Sequence, residues 1–223
     1  MKTSKSVKRE AAAIVLAGAG HMGGALAAGW CQAGLARRLV VVEPNPSAAL
    51  KTFQRRFKFR LVADASRLPR KAAAVALAVK PQMMAQAAPA YAGLAENGAV
   101  VISIAAGVSL ASLARYFGER AAIVRVMPNL PAAIGQGVAV GVASGTVSAA
   151  QRKLAAKLLA VTGELIWTGD EALIDPVTAT SGSGPAYVFL LAEVLAQAGA
   201  ASGLPPEMAA RLARQTVDRK SVV

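Results

Sequence analysis

Ala13-Ile14-Val15-Leu16-Ala17-Gly18-Ala19-Gly20-His21-Met22-Gly23 is the stretch on which the fold turns. Five apolar residues predict a strand buried on both faces, and each glycine that follows has its own task. Gly18 permits a tight turn, Gly20 lets a pyrophosphate approach the backbone, and Gly23 lets the next helix pack on the sheet. The N-terminus of that helix brings free N–H groups and partial positive charge, so the loop, with His21 and Met22, reads as a dinucleotide-binding site. His21, the single histidine, sits where it faces phosphate or solvent; proton transfer is its alternative role.

Outward from this loop, short apolar runs alternate with helix-like segments, the pattern of a mainly parallel sheet covered by helices, an α/β chain. Strands are expected at Ala13–Ala17, Leu39–Glu43, Ala74–Val79, Ala99–Ile104, Ala122–Met127 and Gly137–Ala143, with Glu164–Thr168 last. Helices are expected near Met22–Ala33, Ser47–Arg56, Gln82–Tyr91, Ser109–Tyr116 and Ser148–Val161. After Gly169 only helical sequence remains: Glu171–Ala179, Pro185–Ala200 and Pro205–Val217. This gives a basic tail at 1–10, a nucleotide-binding domain at 11–165 and a helical part at 166–223, too short to hold a core without a partner surface.

Glu43 ends the second strand, 20 residues beyond Gly23, where an acid binds ribose hydroxyls and favours NAD. Asn45 follows it, and Lys51, Arg55 and Arg56 are near enough in sequence to receive a 2′-phosphate, so the two cofactor forms stay open. Near the other end, Thr180-Ser181-Gly182-Ser183-Gly184-Pro185 reads as a flexible polar turn running into an apolar helix. Small residues there allow close backbone approach and Pro185 suits a first helical position, so the turn reads as a carboxylate cradle.

Composition narrows the function. With 55% hydrophobic residues the chain is not disordered, and a single cysteine, Cys31, fits a buried thiol in a reducing, cytoplasmic setting. The net charge of +13 is scattered, without interleaved aromatic residues, which argues for solvated surface and against nucleic acid. One histidine and one cysteine argue against a metal centre. Glu193 and Gln197 interrupt the apolar run from Pro185, which reads as a buried helix and not a membrane span. A hydroxyacid dehydrogenase would need a lysine in the helical part, and none stands between Gly169 and Val217.

Several segments together resemble the pyrroline-5-carboxylate reductase family: the glycine loop, Ala78-Val79-Lys80-Pro81-Gln82, Val101 to Gly107, Arg125-Val126-Met127-Pro128-Asn129, and Asp175 through Phe189. The resemblance implies a Rossmann-like domain followed by a small all-helical dimerisation domain, in a homodimer or larger ring. It implies NADPH, with NADH also used, and reduction of 1-pyrroline-5-carboxylate to L-proline. By the same resemblance Ala78, Lys80, Pro81 and Ala105 line the nicotinamide side, Lys80 and Asn129 position the reacting ring, and Ser181, Gly182, Ser183 and Gly184 hold the substrate carboxylate. Two departures stand out. The family usually has asparagine where His21 stands, and Asp218 to Val223 close the chain where the family continues in helix. The second departure gives an alternative expectation, an inactive nucleotide-binding remnant.

Overall fold

The computed structural model describes residues 12–218; the basic tail and the last five residues lie outside the described part. Eight strands form one sheet: β1 (Ala13–Ala17), β2 (Leu39–Val42), β3 (Arg60–Val62), β4 (Ala72–Leu77), β5 (Val100–Ser103), β6 (Ile123–Met127), β7 (Gly137–Ala143) and β8 (Gly163–Thr168). Their spatial order is β3-β2-β1-β4-β5-β6-β7-β8, and every neighbouring pair is parallel except β6 and β7. The chain therefore reverses direction of winding between β1 and β4, and a crevice opens at the carboxyl ends of those two strands.

Alternation along each strand explains why the apolar runs are continuous. Ile14 and Leu16 enter one core with Val41, Ala74, Ile102 and Val124, whereas Val15 and Ala17 enter the opposite core with Val40, Val75, Leu77 and Val101. The first core is closed by α1 (His21–Gln32), α2 (Ala48–Phe57) and α6 (Ala149–Leu159), which contribute Trp30, Leu50 and Leu158. The Trp30 indole N–H donates to the Leu158 carbonyl at 2.7 Å and ties α1 to α6. The second core is closed by α3 (Met84–Ala87), α4 (Ala92–Glu96) and α5 (Leu110–Phe117). Serines start three of these helices: Ser47, Ser109 and Ser148 accept backbone N–H groups, and Ser148 forms a capping box with Gln151.

Three expectations change. β3 was not expected, because it has only three residues and an exposed Arg60 at the sheet edge. The helix expected at Gln82–Tyr91 is a chain of short turns that begins at Pro81 and is interrupted at Pro89, which cannot donate a backbone hydrogen bond. The sheet runs on through Thr168, past the boundary expected near residue 165.

Beyond the sheet a helical run spans Glu171–Ala201, including α7 (Ile174–Val177) and α8 (Gly184–Ala201), and α9 (Pro206–Asp218) folds back on α8. Length and composition alone would let this run cross a membrane. The expected burial of α8 is not found: none of its residues is buried, and Tyr187, Phe189, Leu190 and Leu191 are exposed. The helical part is too small to cover its own apolar side chains, so in a single chain they face outward.

Candidate active site

The glycine loop lies at the crevice between β1 and β4. Gly18 has φ +86°, a left-handed conformation, and a Cβ there would stand 2.8 Å from the Ala78 carbonyl oxygen. Gly23 is buried with its backbone against Gly18, so any side chain there would strike the loop itself. Gly20 differs: no atom lies within 4 Å of a Cβ built on it, so the outer face of the loop is open to a ligand. Met22 is half-buried and His21 is exposed at the first position of α1. Open backbone at the start of a twelve-residue helix suits a pyrophosphate, so these residues fit a dinucleotide.

Glu43 follows β2 and reaches back to this loop. One carboxylate oxygen accepts the Ala19 N–H at 2.9 Å and the other accepts the Asn45 N–H at 3.1 Å. The acid thus braces the loop and fixes the turn carrying Asn45, with negative charge where an adenosine ribose would lie. The basic residues near it in sequence divide. Lys51 is exposed in the first half of α2, but Arg55 and Arg56 occupy its last turn, about 12 Å along the helix from Ser47. Arg55 donates to Thr52 at 3.2 Å and Arg56 lies over the Phe57 ring.

Ala78 continues β4, donates its N–H to the Ala17 carbonyl at 2.8 Å and packs against both Gly18 and Gly23. Lys80 and Pro81 are exposed, with Lys80 extended before the turn Pro81–Met83, as the residue preceding proline must be. Ala105, beyond β5, lies at the same edge, but its side chain is buried in the core with Tyr91 and Leu113. It can meet a ligand only through its backbone. Asn129 follows β6, and its side-chain oxygen accepts the Val138 N–H at 2.9 Å, pinning the loop to β7. Among the described residues no acceptor meets its amide nitrogen.

The expected flexible turn at Thr180–Gly184 is replaced by a wide helical turn over Thr178–Gly182, in which the Ser183 N–H reaches the Thr178 carbonyl at 2.9 Å. Pro185 is the cause: it has no N–H for the Ser181 carbonyl four residues earlier. Thr178 adds to the distortion by donating its hydroxyl to the Ile174 carbonyl at 2.9 Å. Such widened turns recur at functional sites. Within it the Ser181 hydroxyl is buried and without a partner among the described residues, while a Cβ on Gly184 would point into open space. Ser183 is half-buried. A Cβ on Gly182 would stand 2.5 Å from the Met127 methyl group, so the end of β6 touches this turn.

Arg125, Glu171 and Asp175 form a cluster not expected from the sequence. Arg125 in β6 is 5% exposed and donates to Glu171 and to Asp175, each at 2.9 Å. An arginine within the apolar strand Ile123–Met127 was the available signal; its partners, 46 and 50 residues away, were not. Elsewhere, burial pushes the Cys31 thiol up to about 11. Burial, with the Glu43 charge adding, raises Tyr91 to about 12. Among the described residues no group of three or more histidine, cysteine, aspartate or glutamate side chains is placed to hold a metal.

A doubly wound sheet with an open glycine loop at its winding reversal defines a dinucleotide-binding protein. Residues 171–219 match the family model described as pyrroline-5-carboxylate reductase dimerisation, and residues 13–107 match that of NADP oxidoreductase, coenzyme F420-dependent. With the pyrroline-5-carboxylate reductase of Pseudomonas aeruginosa the chain shares 39% identity over 204 residues, 91% of this chain and 74% of that one. It belongs to the pyrroline-5-carboxylate reductase family. Among solved structures, the enzyme from Coxiella burnetii is 31% identical with a TM-score of 0.84, over 93% of this chain and 77% of that one. A Plasmodium falciparum pyrroline carboxylate reductase with NADP bound is 27% identical with a TM-score of 0.78, over 95% and 80%.

Proposed function

We propose that this chain reduces the C=N bond of 1-pyrroline-5-carboxylate with NADPH to give L-proline, the closing step of proline biosynthesis. The observation that carries this reading is the contact between Met127 and Gly182, because it sets the small-residue turn against the sheet edge that also bears the glycine loop. Gly20, His21 and Met22 receive the pyrophosphate on a loop that Gly18 and Gly23 shape, Glu43 and Asn45 the adenosine ribose, and Ala78, Lys80, Pro81 and Ala105 the nicotinamide side. NADH is the alternative donor. Metal has no part in this reading.

When bound, the reduced nicotinamide supplies the hydride that the imine carbon accepts. The protonated imine is already electrophilic and carries its own proton on nitrogen, so the chain needs to bring no strong acid. Its work is orientation. Ser181, Gly182, Ser183 and Gly184 hold the carboxylate, and Lys80 and Asn129 set the ring against the sheet edge. The buried Ser181 hydroxyl supports this, since an unmet buried donor costs free energy that an arriving carboxylate restores.

The division of labour is a nucleotide-binding sheet through Thr168 and a helical dimerisation segment from residue 171, in a homodimer or larger ring, in the cytoplasm. The unmatched apolar face of α8 supports a second copy as its cover. The test is turnover: purified chain mixed with NADPH and 1-pyrroline-5-carboxylate consumes reduced nicotinamide and releases proline. NADPH binding without any turnover would overturn the activity and leave the inactive remnant.

A further inference from the structure

We propose that Arg125 is a positioning residue that locks the substrate turn onto the sheet, acting on imino-acid binding and not on the nucleotide. The inference rests on the reading of Ser181–Gly184 as the carboxylate cradle. A buried guanidinium needs its charge matched, and here both carboxylates come from the helical run that leads into that cradle. Glu171 and Asp175 are four residues apart, so they lie on one face of the run and meet the two terminal nitrogens of the same fork. Glu171 also accepts the Leu110 N–H at 2.7 Å, which anchors it to the start of α5.

Strand periodicity extends the lock. Arg125 and Met127 are two apart in β6 and share a face. The first fixes residues 171 and 175, and the second sits against Gly182. Between these two attachments lie the widened turn and the unpartnered Ser181 hydroxyl. Met127 further packs with Val140, Val142, Ile174 and Val177, so the joint is apolar beside the ion pairs. One face of one strand thus sets the height and rotation of the cradle relative to the edge where Asn129 begins.

The joint can be loosened without a hole in the core, because the Asp175 side chain is 80% exposed. Asp175→Ala and Arg125→Lys are each compared with the unaltered chain for KM and kcat with 1-pyrroline-5-carboxylate at saturating NADPH, and for NADPH Kd by nicotinamide fluorescence. Both variants are expected to raise KM for the imino acid by about tenfold, with NADPH Kd within about twofold. A role in bulk stability alone would not separate the two ligands in this way. KM within about twofold of the unaltered chain in both variants overturns the proposal, as does a parallel loss of NADPH affinity. Ser181→Ala, measured alongside, separates the two levels: if it too leaves KM unmoved, the cradle reading fails; if it raises KM while the Arg125 and Asp175 variants do not, only the positioning role fails.

Discussion

The Glu43 carboxylate accepts the Ala19 backbone N–H at 2.9 Å, across 24 residues of sequence. It therefore does two things: it braces the glycine loop and it places a negative charge beside the ribose position. Glu43→Gln keeps an acceptor for Ala19 and removes the charge. The ratio of kcat/KM for NADPH to that for NADH is expected to rise by about tenfold, since a carboxylate repels a 2′-phosphate at close range. An unchanged ratio in steady-state assays with both nucleotides would show that Glu43 acts only as a brace.

Gly20 and Gly23 share one motif and face opposite fates. A side chain on Gly20 meets open space, so Gly20→Ala is expected to shift Tm by no more than a few degrees while weakening NADPH binding at least about tenfold. Gly23→Ala drives a methyl into the Gly18 carbonyl and is expected to lower the yield of folded protein. Calorimetry with and without NADPH separates the two; equal thermal loss in both variants would contradict the open-face assignment.

The nucleotide loop of the candidate site is legible in the sequence. The glycine spacing, the acid at Glu43 and the continuous apolar strands are local features, and local sterics determine them. What was not legible depends on distance. The partners of Arg125 are an example, because its two carboxylates arrive from a segment 46 and 50 residues away. The turn at Thr180–Gly184 read as open, since its glycines suggest flexibility. Pro185 and the Thr178 hydroxyl instead produce a widened helical turn, a balance of backbone bonds that composition does not reveal.

Alkaline pH should weaken the fold through Cys31 and Tyr91. Both values are raised on folding, from 9.0 to about 11 and from 10.0 to about 12, so the folded chain keeps protons that the unfolded chain releases. Stability is then level below about pH 9 and falls as pH climbs through both windows. Urea midpoints measured from neutral pH upward should show the decline, with a smaller one in Cys31→Ala. A level profile across those windows would contradict the burial argument. At neutral pH the Cys31 thiol should resist alkylation until the chain unfolds.

The outward face of α8 should be a contact between copies. Phe189 is 67% exposed and Leu190 59%, in the segment that matches the family's dimerisation model. Phe189→Glu is expected to halve the mass seen by light scattering, because an unpaired buried carboxylate at an apolar interface is strongly disfavoured. An unchanged mass would place the interface elsewhere.

The most direct test of the two-pocket arrangement is Gly184→Trp, read for both ligands in one preparation. A Cβ at Gly184 meets open space, so the variant is expected to fold, and its circular dichroism checks this. Saturation by 1-pyrroline-5-carboxylate should disappear while NADPH Kd stays within about twofold of the unaltered chain. Equal loss of both ligands, or no loss of either, would contradict a carboxylate cradle separate from, and facing, the nucleotide loop.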